Sequence, residues 1–172
     1  MIVLALAACW LDAWLDGVDS PLWDGTLPPG MVVAPAAVLV AVLAALELKA
    51  LLIGTGIQAS RIVTCGTAVL GIAVAALVPT EEDGVTGAAI VSFAVGSVLV
   101  ASLVFYGASR KVEGMVASAG GALFSFCVLG LMLGFVVTLR REHEVWVVLW
   151  VLLVTKSSDI GAYAVGKAIG RH

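Results

Sequence analysis

Apolar positions along the chain gather into six runs, residues 1–15, 31–53, 62–79, 87–106, 115–139 and 145–169, with short polar stretches between them. A bilayer core about 30 Å thick takes roughly 20 apolar residues per helix, because a segment in lipid must satisfy its own backbone hydrogen bonds. The pattern predicts an all-α, polytopic membrane helical bundle of about six transmembrane helices. Run 1–15 is the weakest, since Asp12 and Asp16 limit its uncharged length. It has no Lys or Arg ahead of its apolar stretch, which argues against a cleavable secretion signal. Pro21, Pro28, Pro29 and Gly30 make connector 16–30 a strong helix stop, and Trp10, Trp14 and Trp23 suit the membrane-interface belt. No connector can hold a soluble domain, so residues 1–172 are expected to form a single membrane domain.

Loop charges orient such a bundle, because Lys and Arg near helix ends stay on the cytoplasmic side. Loop 16–30 has neither, and loop 80–86 carries only Glu81, Glu82 and Asp83, which places both outside. Arg61, Arg110 with Lys111, and Lys167 with Arg171 place loop 54–61, loop 107–114 and the tail inside. Arg140 and Arg141, in loop 140–144, break the rule on the outer side, but the other loops outvote them. Both termini are therefore expected in the cytoplasm.

Composition narrows the function. The chain is 62% hydrophobic and 12% charged with a mean hydropathy of +1.14, which excludes a water-soluble globule. A net charge of −3 leaves no basic reserve for a run of phosphates, so no nucleic acid is expected as a partner. Cys9, Cys65 and Cys127 all lie in apolar runs, at spacings that suit neither a disulfide framework nor zinc.

Gly54-Thr55-Gly56-Ile57-Gln58-Ala59 resembles a dinucleotide fingerprint in its letters, but a membrane span precedes it where that motif needs a short strand. A turn between helices accounts for it. Gly130 and Gly134 form a small-xxx-small pair, which close helix packing explains. Lys49, near the cytoplasmic end of run 31–53, can snorkel to the headgroups. Glu47 either faces a partner within the bundle or is an interfacial carboxylate paired with Lys49 or Arg61.

The last run carries the most chemistry. After eleven uncharged residues, 145–155, it turns polar at Lys156, Ser157, Ser158 and Asp159. In a helix, Lys156, Asp159, Tyr163 and Lys167 are offset by three, four and four residues and share one face. Ser158, Ala162, Gly166 and Gly170 form a small-residue ridge beside it, on which another helix could pack while the polar face lines a cavity. An Asp within a span costs about 2.5–3.5 kcal/mol on insertion scales, so a cation, a metal or a lysine partner is expected. A structural Lys156–Asp159 pair at the interface is the plainer alternative.

The stretch from Lys156 to His172 resembles the segment in which bacterial phosphatidate cytidylyltransferases (CDP-diacylglycerol synthases) carry an Asp-x-x-Ala-Tyr, a Gly-Lys and a Gly-Lys-His. Asp159, Ala162, Tyr163, Gly166, Lys167, Gly170 and His172 match, with Arg171 in place of the last Lys. Glu47 is similar to the family's acidic residue at the end of an early span. The resemblance implies a membrane transferase that makes CDP-diacylglycerol and diphosphate from CTP and phosphatidate, in a bacterial inner membrane, with Mg2+ as cofactor. It implies catalytic roles for Asp159 and Lys156, with Asp159 also a metal ligand, and substrate binding by Tyr163, Lys167, Arg171 and His172, with Glu47 as a further candidate. A homodimer is compatible with it. The family's later Ser-Pro-x-Lys-Thr stretch and acidic, metal-associated signature do not occur in these residues. The expectation is accordingly the N-terminal part of such an enzyme, inactive by itself. The alternatives are a small ion-coupled transporter using Glu47, Lys156 and Asp159, or a non-catalytic membrane subunit.

Overall fold

A computed structural model describes residues 2–15, 19–20, 25–26, 30–78, 84–108 and 114–170. The described chain is an all-α membrane bundle with helices where the apolar runs predict them. These are α1 (Ile2–Leu15), α2 (Val33–Gly54), α3 (Arg61–Leu77), α4 (Gly84–Gly107), a rod made of α5 (Met115–Phe124), a π segment (Ser125–Leu131) and α6 (Met132–Glu142), and α7 (Val145–Ile169). Four of them, α2, most of α4, the rod and α7, are long and apolar enough to cross a membrane. At 1.5 Å per residue α3 reaches about 25 Å and α1 about 21 Å, so these two are shorter apolar helices beside the four of full spanning length among the described residues. Charges Glu81, Glu82, Asp83, Arg110 and Lys111, and also Trp23, lie outside the described residues.

The chain divides into two compact units, residues 34–138 and residues 1–33 with 139–172. In the first, α2 buries an alanine stripe at four-residue spacing, Ala37, Ala41 and Ala45, in a cluster with Ala68 and Ile72 of α3 and Val137 of α6. Small side chains let backbones approach closely, which matters in lipid because apolar burial alone does not drive helices together. The contact of α3 with the π segment carries this furthest. A Cβ on Gly71 would lie 2.6 Å from the Gly130 Cα, and one on Gly134 would lie 2.5 Å from the Ala75 Cβ. The Ser125 hydroxyl donates to the Thr64 carbonyl at 2.8 Å, and the Thr138 hydroxyl to that of Ala75 at 3.1 Å. The Gly130–Gly134 pair thus does the close packing its spacing suggests.

The π segment has a geometric use. Ser118, Ala122, Phe126, Gly130 and Gly134 are all buried, at strict four-residue spacing. Each four-residue step in an ideal α-helix overshoots a full turn by about 40°, so such a stripe would wind off the contact. The wider π turns rotate it back. α4 shows one buried stripe, Val98, Ser102 and Tyr106, while Phe93, Val104 and Phe105 point outward as lipid-facing side chains do.

The Gly54–Ala59 stretch is a helix end. Gly56 has φ +86°, Ile57 N–H donates to the Leu52 carbonyl at 2.9 Å and Gly56 N–H to that of Ile53 at 3.0 Å. This is the Schellman arrangement, which calls for a left-handed glycine just past the last turn.

In the second unit α1 packs on α7, and Asp19–Ser20 pairs antiparallel with Gly25–Thr26 inside the connector. The helix ending the rod runs on to Glu142, so Arg140 and Arg141 belong to its last turn and not to a loop. Cations there complement the partial negative charge of the helix C-terminus.

Candidate functional site

The sequence continues as helix through its polar turn. From its N-cap Glu144, α7 runs unbroken to Ile169 and ends at Gly170, whose N–H donates to the Gly166 carbonyl at 2.8 Å. The Thr155 and Ser157 hydroxyls donate back to the Val151 and Val154 carbonyls at 2.8 and 2.9 Å, so these polar side chains are satisfied within the helix. Continuous helix puts Lys156, Asp159, Tyr163 and Lys167 on one face, as the spacing predicts.

Lys156 Nζ lies 3.4 Å from Asp159 Oδ2, with both side chains about three-fifths exposed. A pair so open to its surroundings adds little to stability. Tyr163 and Lys167 are exposed too, and so is every residue from Leu153 to Gly170. A Cβ added at Gly161 or Gly166 would meet nothing within 4 Å. The polar face and its small-residue ridge are therefore uncovered among the described residues, where a helix on the ridge and a cavity lined by the polar face were expected. Arg171 and His172 lie outside the described residues. Glu47 is exposed on α2, in the other unit, and no ion pair joins it to Lys49 or Arg61 among the described residues.

The charged cluster that sequence reasoning missed lies elsewhere in the α7 unit. Asp12 and Arg140 are almost fully buried, 1% and 3% exposed, with Arg140 Nε 2.5 Å from Asp12 Oδ2. Val32 N–H donates to Asp12 Oδ1 at 2.9 Å, and Arg140 Nη1 donates to the His143 carbonyl at 3.3 Å. One carboxylate thereby ties α1, the turn at Val32 and the end of α6. Two ionisable residues at the ends of apolar runs, on the same membrane side in an alternating topology, were the available signal.

The sequence pattern of the cytidylyltransferase family matches residues 24–172, which takes in every candidate on α2 and α7 and leaves out α1. The chain belongs to the cytidylyltransferase family. No curated protein and no solved structure matches it. Membership in the cytidylyltransferase family makes the chain a nucleotidyltransferase relative, with a nucleotide as substrate and a membrane as surroundings.

Among the described residues no three His, Cys, Asp or Glu side chains gather to hold a metal ion. Mg2+ keeps several waters and takes only one or two protein carboxylates beside substrate phosphates. A lone, exposed Asp159 carboxylate next to a lysine fits that mode, in which the nucleotide's phosphates supply most of the ligands.

Proposed function

We propose that the chain acts in phospholipid biosynthesis as a phosphatidate cytidylyltransferase. A phosphate oxygen of phosphatidate attacks the α-phosphorus of CTP, the bond from that phosphorus to the bridging oxygen breaks, and diphosphate leaves with the electron pair. The observation that supports this most is the polar face of α7, four family-like positions on a continuous helix within the family-matched residues.

Both reactants are anionic, and transfer of this kind depends on placement and charge neutralisation more than on covalent help. Lys156 and Lys167 stand eleven residues apart, about 16 Å along the helix, far enough to meet two separate phosphate groups. As ammonium point charges they bind phosphate oxygens without needing a fixed fork geometry. Tyr163, between them, can hydrogen-bond a headgroup, and Arg171 and His172, which follow in the sequence, are further substrate-binding candidates. Asp159 would hold Mg2+, which when bound neutralises charge on the nucleotide's phosphates. The Lys156 ammonium, 3.4 Å from Asp159 Oδ2, orients that carboxylate until substrate arrives.

In this proposal the protein sits in a bacterial inner membrane with both termini in the cytoplasm, where CTP is found. The acidic loops support that orientation. The Asp12–Arg140 contact is in keeping with the alternation, which puts both residues on the same side.

The test is formation of CDP-diacylglycerol from CTP and phosphatidate in micelles with Mg2+, by this chain and by the chain joined to a family C-terminal segment bearing the acidic signature. Turnover in either that falls in Asp159→Asn supports the assignment. Absence of turnover in both, or full activity of Asp159→Asn, overturns it.

A further inference from the structure

A second charged site lies where α2 ends and α3 begins. Lys49 and Arg61 line an open cleft of about 480 Å³ together with Leu46, Ala50 and Ile53. Lys49 is half-buried in it. Glu47 is two positions before Lys49, about 200° around the helix, and so leaves the cleft on the other side. Among the described residues neither cation has a carboxylate partner.

The cleft is held in shape by its surroundings. The Gly56 turn closes α2 through the Ile57 N–H to Leu52 carbonyl bond of 2.9 Å. Four residues later the Ser60 N–H donates to the buried Tyr106 hydroxyl at 3.0 Å, and the Ser60 carbonyl accepts from the Thr64 hydroxyl at 2.9 Å. Both ends of the segment leading to Arg61 are thus anchored, and Arg61 is presented beside Lys49 at a fixed place.

We propose that this cleft binds the phosphate group of an anionic phospholipid from the leaflet it faces. Two cations without a carboxylate partner among the described residues, one near the end of α2 and one at the start of α3, match a phosphate at headgroup depth, and basic pockets between membrane helices bind such headgroups. Leu46, Ala50 and Ile53 give the cleft apolar walls, which suit the glycerol and first acyl carbons of a lipid and have nothing to offer a fully hydrated anion. The site belongs to the unit that lacks α7, and it does not depend on the cytidylyltransferase proposal.

Native mass spectrometry of the full chain, released from mild detergent with added phosphatidylglycerol, phosphatidylcholine or inorganic phosphate, tests it without reference to activity. Phosphatidylglycerol should be retained in preference to phosphatidylcholine. The Lys49→Gln/Arg61→Gln double variant should retain it about tenfold more weakly, and the charge-keeping Lys49→Arg/Arg61→Lys variant should retain it as the parent does. Equal retention of the two lipids by the parent chain overturns the site, as does undiminished retention by the charge-removing variant. Inorganic phosphate held as tightly as phosphatidylglycerol overturns the lipid assignment. Should the double variant fail to fold, the single variants Lys49→Gln and Arg61→Gln take its place, each expected to weaken retention of phosphatidylglycerol, and undiminished retention by both overturns the site.

Discussion

Two acid–base pairs occur in the same unit and do opposite things. Asp12 and Arg140 are sealed from their surroundings, 128 residues apart in sequence, and the carboxylate accepts from a backbone N–H as well. Lys156 and Asp159 are one helical turn apart and open. A buried pair is costly to break, because the survivor is left as an uncompensated charge. An exposed pair is cheap to break, and its partners can be handed to a ligand without unfolding anything. Burial and backbone hydrogen bonding, more than the presence of charge, separate the structural pair from the one available for chemistry.

The largest expected effect tests the first half of that contrast. Asp12→Asn or Arg140→Gln should each destabilise the protein by about 3–5 kcal/mol, and the double variant should cost clearly less than the sum. Unfolding in detergent, followed by circular dichroism, measures the cycle. Additive losses would mean that the two side chains act independently.

Glycines on the two sides of the same question come next. Gly130→Ala puts a methyl group 2.7 Å from the Gly71 Cα and should cost about 1–3 kcal/mol through forced separation of α3 from the π segment. Gly166→Ala meets nothing and should be neutral or gain about 0.5–1 kcal/mol from helix propensity. A loss at Gly166 matching that at Gly130 would show that something packs closely on the α7 ridge.

Smallest in stability is Lys156→Gln, expected within about 0.5 kcal/mol of the parent. On the proposed function Asp159→Asn should nevertheless lower turnover by about tenfold or more. A thermal scan beside the CDP-diacylglycerol assay separates the two effects. Parallel losses of stability and activity would move the Lys156–Asp159 pair into the structural class.

Helix positions were legible because long apolar runs leave the backbone one solution in lipid. Run 145–169 became Val145–Ile169, and run 31–53 became Val33–Gly54. Hydropathy misplaced the end of the fifth run, because it takes a charge as the edge of a span, whereas Arg140 is carried inside by its carboxylate partner. The π segment has no letter pattern of its own; it follows from which residues α3 meets. On α7 the shared face of Lys156, Asp159, Tyr163 and Lys167 could be read from spacing alone. What covers that face is a matter of other surfaces, and intrahelical spacing holds no information about it.

The long sequence separation of Asp12 and Arg140 also bears on the order of assembly. A ribosome adding roughly 5–20 residues per second needs about 6–26 s to travel from one to the other. Throughout that interval the carboxylate of α1 exists before its arginine has been made. The Asp12–Arg140 contact can therefore form only after the fifth apolar run is complete. A force-sensing arrest sequence moved stepwise along the nascent chain should register a pull once Arg140 clears the exit tunnel, and Asp12→Asn should abolish it.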